Sequence, residues 1–349
     1  MEYRRFGKTE EILSVITLGG MRFKHGWSEP RHEIPNDTLD QCREMVQLAF
    51  EAGINHIETA WGYRKSETAY GKALNEELRI PRNSYHLMTK GHFFEAGEMR
   101  KKVELQLKDL QTDYLDFYGW HGINNHEVFQ QSCKTGGAVE ELLKMKEDGI
   151  IRHVGFSTHA PLQTIIAAIE TGMFEFVNLH YYYFNQRNEK AVEAAKNRDM
   201  GVFIISPNDK GGQLFYAPKK VREATHPLTP IEWNARFCLQ NPGIHTLSFG
   251  MTDATHITEM KGIFPSNWNE KETLIKQKLD SFQQDDPYSG FDGFELANDP
   301  SGINIPEILR LRKLWKCYDM SGFGKYRYNS FEGKGHWLPG VMANKENIE

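Results

Sequence analysis

A chain of 349 residues with 39% hydrophobic and 26% charged side chains is long enough to bury one large core, and a single barrel with an appendage fits this length. Its net charge of -5 and pI near 6.3 lack the basic excess that attracts nucleic acid or an anionic membrane surface, so neither partner is expected. The opening stretch MEYRRFGKTEE has no apolar signal core, and no run of about 18 apolar residues follows, so a cytoplasmic protein is expected.

In chain order, residues 3–12 alternate weakly around Gly7-Lys8-Thr9 and predict a small hairpin closing one end of a barrel. Short β-branched or aromatic runs then alternate with stretches of 3.6-residue apolar periodicity, the pattern of repeated βα units. Strands are expected over 14–18, 56–59, 85–89, 115–119, 153–157, 176–180, 201–206 and 245–249. Between the first two, residues 37–52 place Leu39, Cys42, Met45, Val46, Ala49 and Phe50 on one helical face, with Asp37 as the N-cap. In Glu51-Ala52-Gly53-Ile54 and Glu147-Asp148-Gly149-Ile150 a glycine takes the left-handed position that releases the helix into a strand. Eight such units predict an α/β fold, a (β/α)8 TIM barrel over residues 1–265. An open doubly wound sheet is disfavoured because the first βα turn, Leu18-Gly19-Gly20-Met21, lacks the G-x-G-x-x-G phosphate turn. After 265 the pattern stops, and residues 266–349 read as a mostly helical or irregular extension with a helical run over 305–318.

Active sites of barrels collect at strand C-termini. There the chain offers Glu58, with Tyr63 five residues on, then Lys90, then His121 after Gly119-Trp120. A lysine beside a tyrosine in a dry cleft lowers the phenol pKa until it can protonate a developing alkoxide, and a carboxylate that holds the lysine completes the relay. Taken singly, each of these residues is common at a strand end and more often structural.

Together they resemble a known family. Glu58-Thr59-Ala60-Trp61-Gly62-Tyr63 with Ser66-Glu67, Met88-Thr89-Lys90, Asp113-Tyr114-Leu115-Asp116 with Trp120-His121, and Ile151-Arg152-His153-Val154-Gly155-Phe156-Ser157 are similar, in order, to the motifs of the aldo-keto reductases over residues 1 to 265. The resemblance implies reduction of an aldehyde or ketone by NADPH, with NADH as the alternative cofactor. It gives Tyr63 the role of proton donor, Lys90 that of lowering its pKa, and His121 that of orienting the carbonyl. Glu58 stands where the family has aspartate, and its extra methylene is expected to bend or to displace Lys90; a shift of about 1 Å costs on the order of 10²-fold in rate. For the cofactor the resemblance implies Gly20 and Met21, Ser157 and Asn178 at the nicotinamide carboxamide, Ser206, Pro207, Gly212 and Leu214 over the pyrophosphate, and Gly250, Thr252, His256 and Glu259 at the adenosine end.

The tail has a resemblance of its own. Gly302-Ile303-Asn304-Ile305-Pro306-Glu307 is similar to aldo-keto reductases with a C-terminal ferredoxin-like iron–sulfur module, whose cysteines precede this motif. Asp299-Pro300 stands there instead, and Cys317 is the single cysteine of the tail, so no iron–sulfur cluster is expected and the module reads as degenerate. Its aromatic residues Phe323, Tyr326, Tyr328, Phe331 and Trp337 are expected to pack. The other cysteines, Cys42, Cys133 and Cys238, form no C-x-x-C pair and read as reduced thiols.

Three rival readings deserve weight. A metal-dependent barrel hydrolase draws on His92, His121, His159 and His180, but no H-x-H opens the first strand and no aspartate ends the eighth, so no metal site is expected. The Glu58 substitution also suits a cofactor-binding regulatory or sensing protein with little turnover, or a reductase of a conjugated C=C bond. Met21, Phe23, Trp27, Trp61, Phe93, Trp120 and Tyr182 are expected to line the pocket and favour an apolar or aromatic small-molecule carbonyl substrate. Oligomeric state is left open.

Overall fold

The computed structural model describes residues 1–28, 30–293, 301–333 and 338–342. Strands β1 (Tyr3–Arg5) and β2 (Ile12–Ser14) pair antiparallel, Arg4 opposite Leu13, around a 3-10 turn at Gly7–Thr9, as expected for the hairpin. Eight parallel strands follow: β3 (Ile16–Gly19), β4 (His56–Glu58), β5 (His86–Gly91), β6 (Leu115–His121), β7 (Ile151–Ser157), β8 (Phe176–Leu179), β9 (Gly201–Ile205) and β10 (Thr246–Phe249). They close in chain order, β10 pairing with β3, with helices between them, and the fold is the expected (β/α)8 barrel.

Two local expectations need correction. The first strand was expected to be continuous over 14–18, but Ser14 belongs to the hairpin and the barrel strand starts at Ile16. The reason is Asn55, whose Oδ1 accepts the Ser14 N–H at 2.7 Å, so the backbone donor of Ser14 is taken by a side chain rather than by a barrel neighbour. The first long helix runs Asn36–Glu51 and buries Cys42, Met45, Val46 and Ala49, but extended Pro35 precedes it with no side-chain cap. Asp37 lies in its first turn and contacts His25 at 3.2 Å. Gly53 and Gly149 do adopt left-handed φ angles of 84° and 77°.

Alternate residues of a strand share a face, and in this barrel one parity points inward. At the N-terminal end Phe6, from the hairpin, packs edge-on to Phe117 at 5.3 Å and beside Phe176 at 5.8 Å. With Leu13, Met88 and Phe203 they form a dry internal cluster. Two or more residues further along the same inward parity come Glu58, Lys90, His121, Ser157, Asn178 and Ser248. Register fixes their heights: Gly19 is opposite Glu58, Lys90 opposite Gly119, His121 opposite Ser157, and Ser157 opposite Asn178.

Beyond the barrel, the polar stretch after residue 266 contains a helix, Glu270–Ser281, opened by a capping box between Asn269 and Glu272. Glu272 is buried and accepts from Arg236 at 2.6 Å, tying this helix to the barrel helix Pro230–Leu239. Helices Ile305–Tyr318, capped by Asn304, and Ser321–Tyr328 follow. Of the tail aromatics, Phe323 and Phe331 are buried, whereas Tyr326 is 63% exposed and does not pack; Trp337, like Asp299 and Pro300, lies outside the described residues. No helix among the described residues is long and apolar enough to cross a membrane.

Candidate active site

Glu58 ends β4, Tyr63 sits on a 3-10 turn at Trp61–Tyr63, and Lys90 and His121 lie near the ends of β5 and β6. The four side chains converge. Lys90 Nζ donates to Glu58 Oε1 and, at 2.8 Å, to the Thr59 carbonyl. Tyr63 Oη donates to the same Glu58 oxygen at 3.4 Å, and Ser248 Oγ, from β10, donates to Glu58 Oε2 at 3.2 Å. The Tyr63 and His121 rings meet edge-on with centroids 5.9 Å apart. Gly119 makes room for this arrangement, since a Cβ there would stand 3.1 Å from Lys90 Cγ.

The extra methylene of Glu58 therefore does not pull it away from Lys90. It lets the carboxylate span Lys90 on one side and Ser248 on the other. The expectation for Tyr63 needs a correction of sign. Burial pushes its phenol above the ordinary tyrosine range, because the charged phenolate is the form that burial penalises. Lys90 spends its hydrogen bonds on Glu58 and Thr59, with its Nζ 5.0 Å from the centre of the Tyr63 ring. Burial acts to pull Lys90 below the ordinary lysine range, and the Glu58 carboxylate opposes that.

A cleft of about 410 Å³ leads from Glu58 and Tyr63 along Gly19, Met21, Arg22, Phe23 and Trp27, past Ser206–Gly212 and Phe215, to Ser248–Gly250. Expected cofactor residues Met21, Ser206, Pro207, Gly212 and Gly250 line it. Others do not. Gly20 is packed against Ser66 and Tyr70, where a Cβ would collide at 2.3 Å and 2.4 Å, and Leu214 is buried beneath the loop. Thr252, His256 and Glu259 stand outside the cleft wall, although the His256 ring packs at a tilt of 41° against cleft-lining Phe215, centroids 4.1 Å apart. Ser157 Oγ accepts from the Gly122 N–H at 3.0 Å. Of the expected pocket residues, Met21, Phe23 and Trp27 line the cleft; Trp61 and Phe93 do not, and pack edge-on to each other at 5.9 Å, while Trp120 and Tyr182 are buried, Trp120 donating to the Phe93 carbonyl at 3.2 Å and Tyr182 to Asp209 at 3.0 Å.

Two features fit a dinucleotide. Asn178 is fully buried and does not line the cleft, its Nδ2 donating to Met88 Sδ at 3.3 Å, but its Oδ1 has no hydrogen-bond partner among the described residues, and such an atom is costly unless something satisfies it. Gly212 and Gly250 flank Arg22 so closely that a Cβ would stand 2.6 Å and 2.7 Å from its side chain. That leaves an exposed cation lining the cleft, for which no carboxylate or hydrogen-bond partner is found among the described residues.

A profile of the Aldo/keto reductase family matches residues 15–273. The chain belongs to the aldo/keto reductase family. It is 28% identical to L-galactose dehydrogenase of Arabidopsis thaliana over 205 residues, 55% of this chain and 61% of that protein. With D-arabinose 1-dehydrogenase of Saccharomyces cerevisiae it shares 29% over 153 residues, 42% of this chain and 43% of that one. The matched part thus spans 61% and 43% of the length of these two relatives, less than two thirds of either. Among solved structures, an aldo-keto reductase of Bacillus halodurans in its holo form superposes with a TM-score of 0.65 at 20% identity, over 80% of this chain and 96% of that one. This likeness concerns the aldo/keto reductase barrel.

Sequence reasoning missed Ser248, Arg22, Asp209 and Lys210 at the mouth. The signal for Arg22, Asp209 and Lys210 was their position just past strand ends; the contact of Ser248 with Glu58, 190 residues away, had none.

Proposed function

We propose that this aldo/keto reductase reduces a small-molecule aldehyde or ketone to an alcohol with NADPH or NADH. The observation that carries the reading is the convergence of Tyr63, Lys90, Glu58 and His121 at the mouth of a barrel whose cleft has room and donors for a dinucleotide. A bound nicotinamide supplies the hydride. Met21, Ser206, Pro207, Gly212 and Gly250 would hold it along the cleft, Arg22 would face its phosphates, and Asn178 Oδ1 would accept from its carboxamide. Tyr63, kept neutral by burial, holds a proton at Oη beside the space where a carbonyl oxygen would sit, and His121 orients that oxygen from the edge of the Tyr63 ring. Glu58 accepts from Tyr63 and Lys90 together, which fixes both side chains; ordered donors at the reacting oxygen are worth several kcal/mol.

The degenerate iron–sulfur character of residues 266–349 is part of the same reading, with the tail serving the barrel structurally. A second reading, cofactor binding with little turnover, is favoured by the engagement of Lys90 with Glu58 rather than with Tyr63. Fluorescence titration with NADPH and NADH, followed by oxidation of the bound cofactor with nitrobenzaldehyde, separates the two. Binding with turnover supports the reductase, binding without turnover supports the regulatory reading, and absence of binding removes both.

A further inference from the structure

The 206–212 loop that lines the cleft holds an unfavourable backbone. Ser206 and Asp209 adopt left-handed φ angles of 49° and 58°, close to Gly211 and Gly212 at 79° and 72°. Residues with a side chain stay in this region only where their surroundings fix them there. The barrel supplies two such restraints: Asn234, on the Pro230–Leu239 helix, donates to the Pro207 carbonyl at 2.8 Å, and Tyr182 donates to Asp209 Oδ1 at 3.0 Å. The loop also closes on itself, the Lys210 N–H donating to Asp209 Oδ1 at 2.8 Å and the Gly212 N–H to the Asp209 carbonyl at 3.0 Å. A further restraint comes from the extension. Arg310, on the Ile305–Tyr318 helix, donates from Nη1 to Asp209 Oδ2 at 2.9 Å.

Arg310 is itself set by a fork of hydrogen bonds. Its Nη2 and Nε donate to the two oxygens of Glu307 at 2.8 Å and 3.0 Å, and Arg187, in the chain after β8, donates to Glu307 at 2.7 Å. A planar guanidinium held at two of its nitrogens has the third directed, which a flexible ammonium does not. The Arg310 and Asp209 side chains are 10% and 2% exposed. Water therefore screens the pair little, and removal of one partner leaves the other buried and uncompensated. Asp209 lines the cleft, whereas Arg310 lines a cavity of about 320 Å³ between the chain after β8 and the Ile305–Tyr318 helix. Among the described residues the two spaces share no lining residue, so Arg310 acts on the cleft through Asp209.

We infer that Arg310 is a positioning residue for cofactor binding: by way of Asp209 it holds the 206–212 loop in the left-handed shape that receives the pyrophosphate, and it neutralises a carboxylate that would otherwise repel those phosphates. The inference rests on the proposed place of this loop over the cofactor. It gives the extension a task beyond support of the barrel, because the shape of the loop then depends on the docking of the Ile305–Tyr318 helix. Arg187, Glu307, Arg310 and Asp209 form the continuous line of charge pairs that carries this dependence from the chain after β8, through the extension, to the cleft wall.

Amide hydrogen exchange on the cofactor-free full chain reads the holding of the loop, and stopped-flow displacement of NADPH reads its consequence. Arg310→Gln is expected to speed exchange at residues 208–214 about tenfold or more, with β5 and β6 unchanged, and to raise the NADPH dissociation rate by about as much. Asp209→Asn combined with Arg310→Gln leaves a neutral hydrogen-bonding pair and no bare carboxylate, and is expected to recover about threefold or more of that loss. A role in general packing would give no such rescue. Should Arg310→Gln fail to fold, Asp209→Ala keeps Arg187, Glu307 and Arg310 paired and is expected to show the same faster exchange and faster release. Unchanged exchange in the loop, equal NADPH release from native and variant protein, or a double variant no better than Arg310→Gln would each overturn the inference. Faster loop exchange in a protein that binds neither NADPH nor NADH leaves Arg310 as the holder of the loop and removes the cofactor reading alone.

Discussion

Ser248 donates to Glu58 Oε2 across the barrel mouth at 3.2 Å, joining the last barrel strand to the second. Through this contact one carboxylate gathers Ser248, Lys90 and Tyr63, and the longer side chain of Glu58 becomes a bridge. Hydrogen bonds to charged groups contribute about 1.5–3 kcal/mol. Ser248→Ala is therefore expected to lower the urea midpoint without changing the slope of the transition, and to lower kcat more than it alters cofactor affinity. Unchanged stability and kcat would remove Ser248 from the site.

Tyr63 is the proposed proton donor, and a positioned acid contributes roughly 10²–10⁴-fold. Tyr63→Phe is expected to keep the circular dichroism spectrum and the NADPH dissociation constant while kcat falls by about that range. A variant with native kcat would place the proton elsewhere.

Arg22 lines the cleft, close to Gly212 and Gly250. If the phosphates of the cofactor meet it there, Arg22→Ala raises the NADPH dissociation constant about tenfold or more, and the salt dependence of binding becomes shallower. Titrations at two ionic strengths measure both effects, and identical curves for native and variant protein would exclude the contact.

Glu307 links the extension to the barrel. Burial alone would raise its carboxyl, but Arg310 and Arg187 more than reverse this and hold it near 2. A carboxyl lowered on folding adds stability above its ordinary value of 4.5, which is lost as the pH falls towards 2; for this group the amount is roughly 3 kcal/mol. Glu307→Gln is expected to be clearly less stable than the native chain at pH 6, with the gap closing below about pH 3. A pH-independent gap in melting temperature would show that the carboxylate charge is not what holds the extension.

Local periodicity carried most of the fold. Side chains two apart in a strand face the same way, so the run of βα units and the inward parity of Glu58, Lys90 and His121 follow from the order of residues along the chain. The motif order did the same for membership of the family. Register and long-range pairing are another matter. No local pattern marks that Asn55 ends the hairpin by taking the Ser14 N–H, that Gly20 packs on Tyr70 instead of facing the cleft, or that burial raises the Tyr63 phenol. Arg310 and Asp209 pair at 2.9 Å although they are 101 residues apart. Burial, charge pairing and unmet hydrogen bonds are properties of neighbours in space. The sequence determined the barrel and the residue types at its mouth; only the tertiary structure decided which charges were paired there.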